Sequence, residues 1–361
     1  MLIANVADIH ARGKDLEACR SQLAAMVAEC VRREVSLVTF AGDIFDKSSI
    51  QDQHASTGAI AAVVIGAVAE LTKHGIEVLM IPGDHDQAGS GSADALHVFD
   101  GMAGVMVERY VEWVDFPNFS VFCVPWFWSG LDPSGYINVA KDRIGRPPRQ
   151  NMLLAHIRIG GAILSGTQTC EEVNKSATRT WQVPRAFLES LPFDHFALGN
   201  FHKRQDLTGG RGGFIGALRQ NDFGFEGDPA GFETWDSETG ATEWVELDAA
   251  PTYRTLEIGS GQMPPEKPEG NERLKIRYTC GGIIGGNEAV SRLEAAGMEV
   301  EHIIDREERT QRAEVPEGII HKPHELIDLW VGTQTPPIEG ERLAAMHEMH
   351  DKVNADEEVT T

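Results

Sequence analysis

The chain has 361 residues, 55 acidic against 32 basic, a formal net charge of −23 and 42% hydrophobic residues. That is too long for one ordinary domain and enough for two, one of them with a sizeable core. The acidic balance argues against a protein that coats nucleic acid, because non-specific affinity for DNA comes from Lys and Arg displacing counterions. No apolar run approaches the roughly 20 residues of a membrane span. The opening MLIANVADIH has no basic region or small-residue cleavage site, so a cytoplasmic location is expected and no membrane partner. Five cysteines (Cys19, Cys30, Cys123, Cys170 and Cys280) lie far apart with no C-x-x-C pair. They are expected to be buried free thiols.

The first strand is expected over LIANVAD, followed by a helix from Asp15 to Arg33. Leu16, Cys19, Leu23, Met26, Val27 and Cys30 recur there at three- and four-residue spacing, which gives one buried stripe. A strand over VSLVTFAGD, a helix near Gln51 to His74 and a strand over IEVLMIPGD follow. Alternation of this kind marks an α/β layer fold. Further strands are read at FSVFCVP (119–125), NMLLAHI (151–157) and FDHFALG (193–199), then at the shorter GFIGAL and TEWVEL. Around Pro251 the pattern changes to a small β-β-α-β unit: TYRTLEI, ERLKIRYT, a helix over NEAVSRLEAAG, and MEVEHIID. PHELIDLWV and a helix from Ile338 to about Val353 end the chain.

Several strands end on the same punctuation. Asp8 and His10 follow the first, Asp43 and Asp46 the second, and Asp84, His85 and Asp86 the third. LLAHIR ends on His156, and ALGNFH on Asn200 and His202. In open α/β sheets ligands bind at the carboxyl ends of strands. Asp and His gathered there in chain order point to divalent metals. The structural alternative, five independent surface or core residues, is the weaker reading.

These motifs, D-x-H, G-D-x-x-D, G-D-H-D in place of the usual G-N-H-D, a strand-terminal His and G-x-x-H, resemble the calcineurin-like metallophosphoesterase superfamily. Within it, ALGNFHKRQ followed by IGALRQNDFGFEGDPAGF resembles the SbcD-type exonuclease subunit of double-strand-break repair, including phage-encoded relatives, for which the compartment would be the host cytoplasm. The likeness covers residues 1 to about 245. It implies an α/β fold, a metallophosphoesterase sandwich of two mixed β-sheets flanked by helices, with a small α+β cap domain and a helical C-terminal tail. The boundaries expected are 1–250 for the nuclease domain, 251–315 for a DNA-binding cap and 316–361 for a tail that docks on an ATPase partner. It also implies one metal on Asp8, His10, Asp43 and His202, and a second on Asp43 as bridge with Asp84, His156 and Asn200. His85 would face the scissile phosphate as catalyst, oriented by Asp46. The ions implied are two Mn²⁺, with Mg²⁺ as the alternative. The partners implied are DNA, an SMC-like ABC ATPase of the SbcC type, and a second copy in a homodimer.

Where the family has Asn this chain has Asp84, and where it has His this chain has Asn200. The second site thus loses a nitrogen donor and gains a charge, which favours hard, oxygen-preferring ions over zinc. A degenerate, empty second site is the rival reading. With it goes a non-catalytic adaptor of the ATPase, and a third reading is a phosphatase or cyclic-nucleotide phosphodiesterase of the same fold. Arg158, Lys203, Arg204, Arg211 and Arg219 border the metal loops and could bind a phosphodiester backbone, as could the basic stretch KDRIGRPPRQ (141–150). His54, His74, His97 and His195 fall outside the motif set and are expected at the surface or as caps.

Overall fold

The computed structural model describes residues 1–47, 56–87, 94–126, 133–140, 150–165, 168–169, 182–259, 262–279 and 286–303. The basic stretch at 141–149 and the expected tail at 316–361 lie outside the described residues, as do Cys170 and Cys280.

Four short strands, β1 (Leu2–Val6), β2 (Leu37–Phe40), β3 (Glu77–Met80) and β4 (Val105–Val107), run parallel in that order. The crossovers are α1 (Leu16–Arg32) and α2 (Ser56–Lys73). Next come β5 (Glu112–Asp115), β6 (Phe119–Val124), α3 (Pro133–Val139), β7 (Gln150–His156), the two-stranded pair β8 (Ile163–Ser165) and β9 (Gln168–Thr169), and α4 (Arg185–Glu189). They are followed by β10 (His195–Gly199), β11 (Gln205–Asp206), β12 (Gly212–Phe214), β13 (Gly231–Asp236) and β14 (Thr242–Glu246). One sheet has the order β14-β13-β1-β2-β3-β4 and the other β11-β12-β10-β7-β6-β5. Each is mixed: β13 runs antiparallel to β1, and β5 antiparallel to β6. The fold is thus α/β, with two mixed sheets flanked by helices.

Period-two alternation explains how the sheets pack. In β1, Ala4 and Val6 face a core shared with Cys19, Leu23, Met26, Val27 and Cys30 of α1 and Val63, Val64, Val68 and Leu71 of α2. Ile3 faces the other way, into a core with Leu37, Leu79, Phe119, Val121, Met152, Leu154, Ala197 and Trp235, drawn from both sheets. Both faces of the central parallel strands are therefore buried, which accounts for their near-continuous apolar runs. Each large apolar side chain buried this way contributes about 1.5–3 kcal/mol. Cys19, Cys30 and Cys123 are buried free thiols, and burial first of all pushes their pKa up, to about 11 for Cys19 and about 12 for Cys30.

The strands β15 (Thr252–Ile258) and β16 (Glu272–Thr279), helix α5 (Gly286–Ala295) and strand β17 (Glu299–Ile303) follow in β-β-α-β order, and the strands form a sheet β15-β16-β17. Two compact units are present: Met1–Leu256 with Pro265–Ile276 and Arg292–Glu299, and a second made of the intervening and following segments. Both six-stranded sheets belong to the first.

Candidate metal centre

Parallel pairing brings the carboxyl ends of β1, β2 and β3 to one edge of the first sheet, and those of β7 and β10 to one edge of the second. The loops leaving these ends are bent tightly. Five described non-glycine residues have positive φ, and four of them are Asp8 (50°), His10 (47°), Asp43 (51°) and Asn200 (99°). Each costs on the order of 1–3 kcal/mol and persists only where its surroundings over-determine it. Here they do. His10 N–H donates to Asp43 C=O at 2.9 Å, Ala11 N–H to Ile44 C=O at 2.9 Å, and Asn200 N–H to the Asp8 carboxylate at 3.0 Å.

The bends bring the side chains together. Donor atoms of Asp8, His10 and His202 lie within 4.8 Å of one another, and so do those of Asp8, Asp43 and His156, of Asp43, Asp84 and His85, and of His10, Asp46 and His85. Asp43 stands between two donor sets: its Oδ2 is 3.5 Å from His10 Nε2, and its Oδ1 is 3.5 Å from His156 Nε2. His156 Nε2 is also 3.3 Å from Asp84 Oδ1. At the other ring nitrogen, His156 Nδ1 donates to Ala41 C=O at 2.7 Å, which leaves Nε2 as the atom that can ligate. The Nε2 atoms of His10 and His202 are 2.8 Å apart. That contact is a hydrogen bond if one of the two nitrogens carries a proton, and with both unprotonated the pair fits a shared cation; among the described residues, Nδ1 of both rings and Nδ2 of Asn200 are buried without a hydrogen-bond partner. The donor set, oxygen and imidazole without thiolate, fits divalent cations.

The electrostatics agree with that fit. Burial, reinforced by neighbouring carboxylates, raises Asp8 well above the usual carboxylate range and Asp43 to about 7, although the charge of His156 opposes both shifts. Burial likewise lowers His10 far below 6.5 and His202 to about 4, helped by neighbouring imidazoles. Burial works against ionisation of Asp84 and His156 too, but their mutual hydrogen bond and surrounding charges win, holding Asp84 at about 2 and His156 at about 10. At neutral pH a cation therefore displaces a proton at His156 and in part at Asp43, but meets no competition at His10, His202 or Asp84. In the metal-free protein, Asp43 contributes stability below its unfolded value that is lost as pH rises through about 7, and His156 contributes stability that is lost through about 10. The metal-loaded form is spared both losses. The gap in melting temperature between Mn²⁺-loaded and chelator-treated protein is thus expected to widen from pH 6 to pH 9, measured by differential scanning fluorimetry.

Two glycines make room for the cluster. A Cβ at Gly42, whose φ is +89°, would lie 2.3 Å from His156 Nδ1; one at Gly83 would lie 2.2 Å from Asp43 Oδ1. Gly42→Ala is therefore expected to displace His156 and abolish the metal-induced rise in melting temperature, read in the same assay.

Asp8, His10, Asp43, Asp84, His156 and His202 are thus brought together, with Asn200 bonded to Asp8. His85 sits among them: its backbone N–H donates to Asp43 Oδ1 at 2.9 Å, and its Nδ1 accepts from Lys47 N–H at 3.4 Å. Asp46 adjoins it, with Oδ2 3.8 Å from His10 Nδ1. Asp86, the last residue of the same motif, has a different task. It is fully buried and accepts from the backbone N–H groups of Gly83, Ile44 and Phe45, tying the second loop to the third.

The basic residues divide. The Arg158 guanidinium lies 5.5 Å from the Trp126 ring centroid, and that ring stands edge-on to His156. Lys203 pairs with Asp228 at 3.5 Å, and Arg204 lies over Trp244 with its side chain 42% exposed. Arg219 cannot touch DNA: it is 1% exposed, paired with Asp15 at 2.9 Å and bonded to His10 C=O at 2.9 Å, so it supports the ligand loop from behind. Arg211 is similarly spent on the carbonyls of Glu189, Leu191 and Phe193. His195 is not at the surface either. It is buried, stacked on Trp235, and contacts Glu233 at 2.9 Å and Asn5 at 3.2 Å.

No curated protein sequence matches the chain. One solved structure, 10% identical, aligns over 68% of this chain and 99% of its own with a TM-score of 0.42. Another, a dimetal phosphatase from Danio rerio, is 12% identical over 65% of this chain and 91% of its own, with a TM-score of 0.38. Residues 1–150, the segment that carries the Asp8, Asp43 and Asp84 loops, match the family model described as Calcineurin-like phosphoesterase.

Proposed function

We propose that the chain is a metal-dependent phosphodiesterase that cuts DNA as an exo/endonuclease, with two Mn²⁺ as working ions and Mg²⁺ as the alternative. It would serve an SMC-like ABC ATPase of the SbcC type in repair, recombination or phage genome processing. The observation that carries the phosphodiesterase reading is the placing of Asp43 between the His10 and His156 donor sets, with His85 fixed to it by a backbone hydrogen bond. DNA as substrate, the ATPase partner, the homodimer and a DNA-binding cap at 251–315 rest on the SbcD-type motifs ALGNFHKRQ and IGALRQNDFGFE.

Asp8, His10, Asp43 and His202 would hold one ion, and Asp43, Asp84, His156 and Asn200 the other. When bound, a metal pair supplies Lewis acidity to phosphate oxygens and activates water for an in-line displacement. The protein's own groups do the rest. His85 accepts at Nδ1, so in its neutral form the proton sits on Nε2, available to a departing oxygen. Asp46 would orient that side of the site, and Arg158 adds positive charge to that of His156 and His85 beside Asp84. Arg158, Lys203 and Arg204 are proposed to contact the DNA backbone.

The test is digestion of linear duplex and single-stranded DNA in Mn²⁺ or Mg²⁺, beside a phosphomonoester and a cyclic nucleotide. DNA cutting that a chelator stops supports the reading. Hydrolysis of the small esters with DNA left intact would replace it with the phosphatase alternative.

A further inference from the structure

A recess opens beside the candidate metal centre, within the first compact unit. Its volume is about 210 Å³, and its walls include Lys14, Asp15, Phe223, Tyr253, Arg273 and Glu299. It adjoins the centre on two sides. Arg12 donates to Asp15 at 2.9 Å and stands 4.0 Å from Asp46, which shares a donor group with His10 and His85. On the other side one short turn, Phe223–Phe225, capped by the Asp222 carboxylate, supplies both neighbours: Phe225 packs on the His202 ring at 4.7 Å, and Phe223 meets Tyr253 edge-on at 5.0 Å.

The charges in the recess do not cancel. Asp15 is held by Arg219 at 2.9 Å as well as by Arg12, and Glu299 by Lys275 at 2.7 Å. Lys14 and Arg273, by contrast, have no ion-pair partner among the described residues. In a chain of net charge −23 these two uncompensated cations stand out. The volume falls below the roughly 300 Å³ at which pockets for whole small molecules begin, so the recess suits one ring and its attached charge. Aromatic walls joined to free cations are what single strands require, since bases stack on the rings while cations follow the phosphates.

We propose that the recess takes one nucleotide of a DNA single strand beside the phosphate being cut, its base against Tyr253 and Phe223 and its phosphate between Lys14 and Arg273. This rests on the nuclease reading and adds to it a strand-holding subsite outside the metal ligands. The protein would thereby grip an unpaired strand rather than an intact duplex.

The test is fluorescence anisotropy of a short labelled oligothymidylate with the full chain, in chelator and over a range of salt. Tyr253→Ala is expected to bind about five-fold or more weakly, while Tyr253→Phe keeps the wild-type affinity. The double variant Lys14→Ala with Arg273→Ala alters exposed side chains and leaves the core intact. It should flatten the slope of log affinity against log salt by about 1.4, the share of two phosphate contacts on a single strand. If the wild type cuts DNA but all three variants bind with its affinity and salt slope, the subsite is refuted and the nuclease reading survives. If the wild type neither binds nor cuts DNA, the nuclease reading fails and the subsite with it.

Discussion

On the nuclease reading proposed above, His85→Ala is expected to slow DNA hydrolysis by roughly 10²–10⁴-fold, the range for losing a positioned proton donor, with metal content unchanged. The separation follows from geometry. The bond that ties residue 85 to Asp43 comes from its backbone N–H, which alanine retains. The groups Asp8, His10, His202 and Asp8, Asp43, His156 are complete without the imidazole. Yet His85 also stands within donor reach of Asp43 with Asp84 and of His10 with Asp46, so it could instead be a ligand. Rates and metal content measured on one preparation decide the matter. Loss of an ion together with activity would make His85 a ligand and move the catalytic role elsewhere.

Arg219→Ala is expected to cost about 3–5 kcal/mol of stability, the range for removing one partner of a buried ion pair, with little change in the DNA affinity of the folded protein. Arg219 is 1% exposed, and its removal leaves Asp15 a buried carboxylate with Arg12 alone and the His10 carbonyl without its donor. Urea melts of the single variant and of Arg219→Met with Asp15→Leu test this, since removing both charges should recover part of the loss. An unchanged melt with weakened DNA binding would restore the role suggested by its place in the sequence.

The sequence reveals which Asp and His side chains the fold gathers, because a period-two apolar run that stops on such a residue leaves few alternatives. The helix of each βαβ unit then forces the next strand parallel and its end to the same edge. What it hides depends on partners far along the chain. Arg219 reads like any arginine beside a polar loop until Asp15, 204 positions earlier, is found against it. His195 is buried because Asn5 and Glu233 arrive from the opposite sheet. Asp86 shares its motif with two site residues, and only the folded loops show its carboxylate turned to three backbone N–H groups. Strand β13, which lies against β1, also escapes the sequence reading, because GFETWD lacks a clean alternation between apolar and polar residues.

The most direct measurement is elemental analysis of the purified chain after saturation with Mn²⁺ and removal of loose ions. Two manganese per polypeptide are expected, because Asp43 offers one oxygen to each of two flanking donor sets. A single ion would mean that Asp84 and Asn200 have emptied the second position, and none would end the case for metal-assisted phosphodiester chemistry.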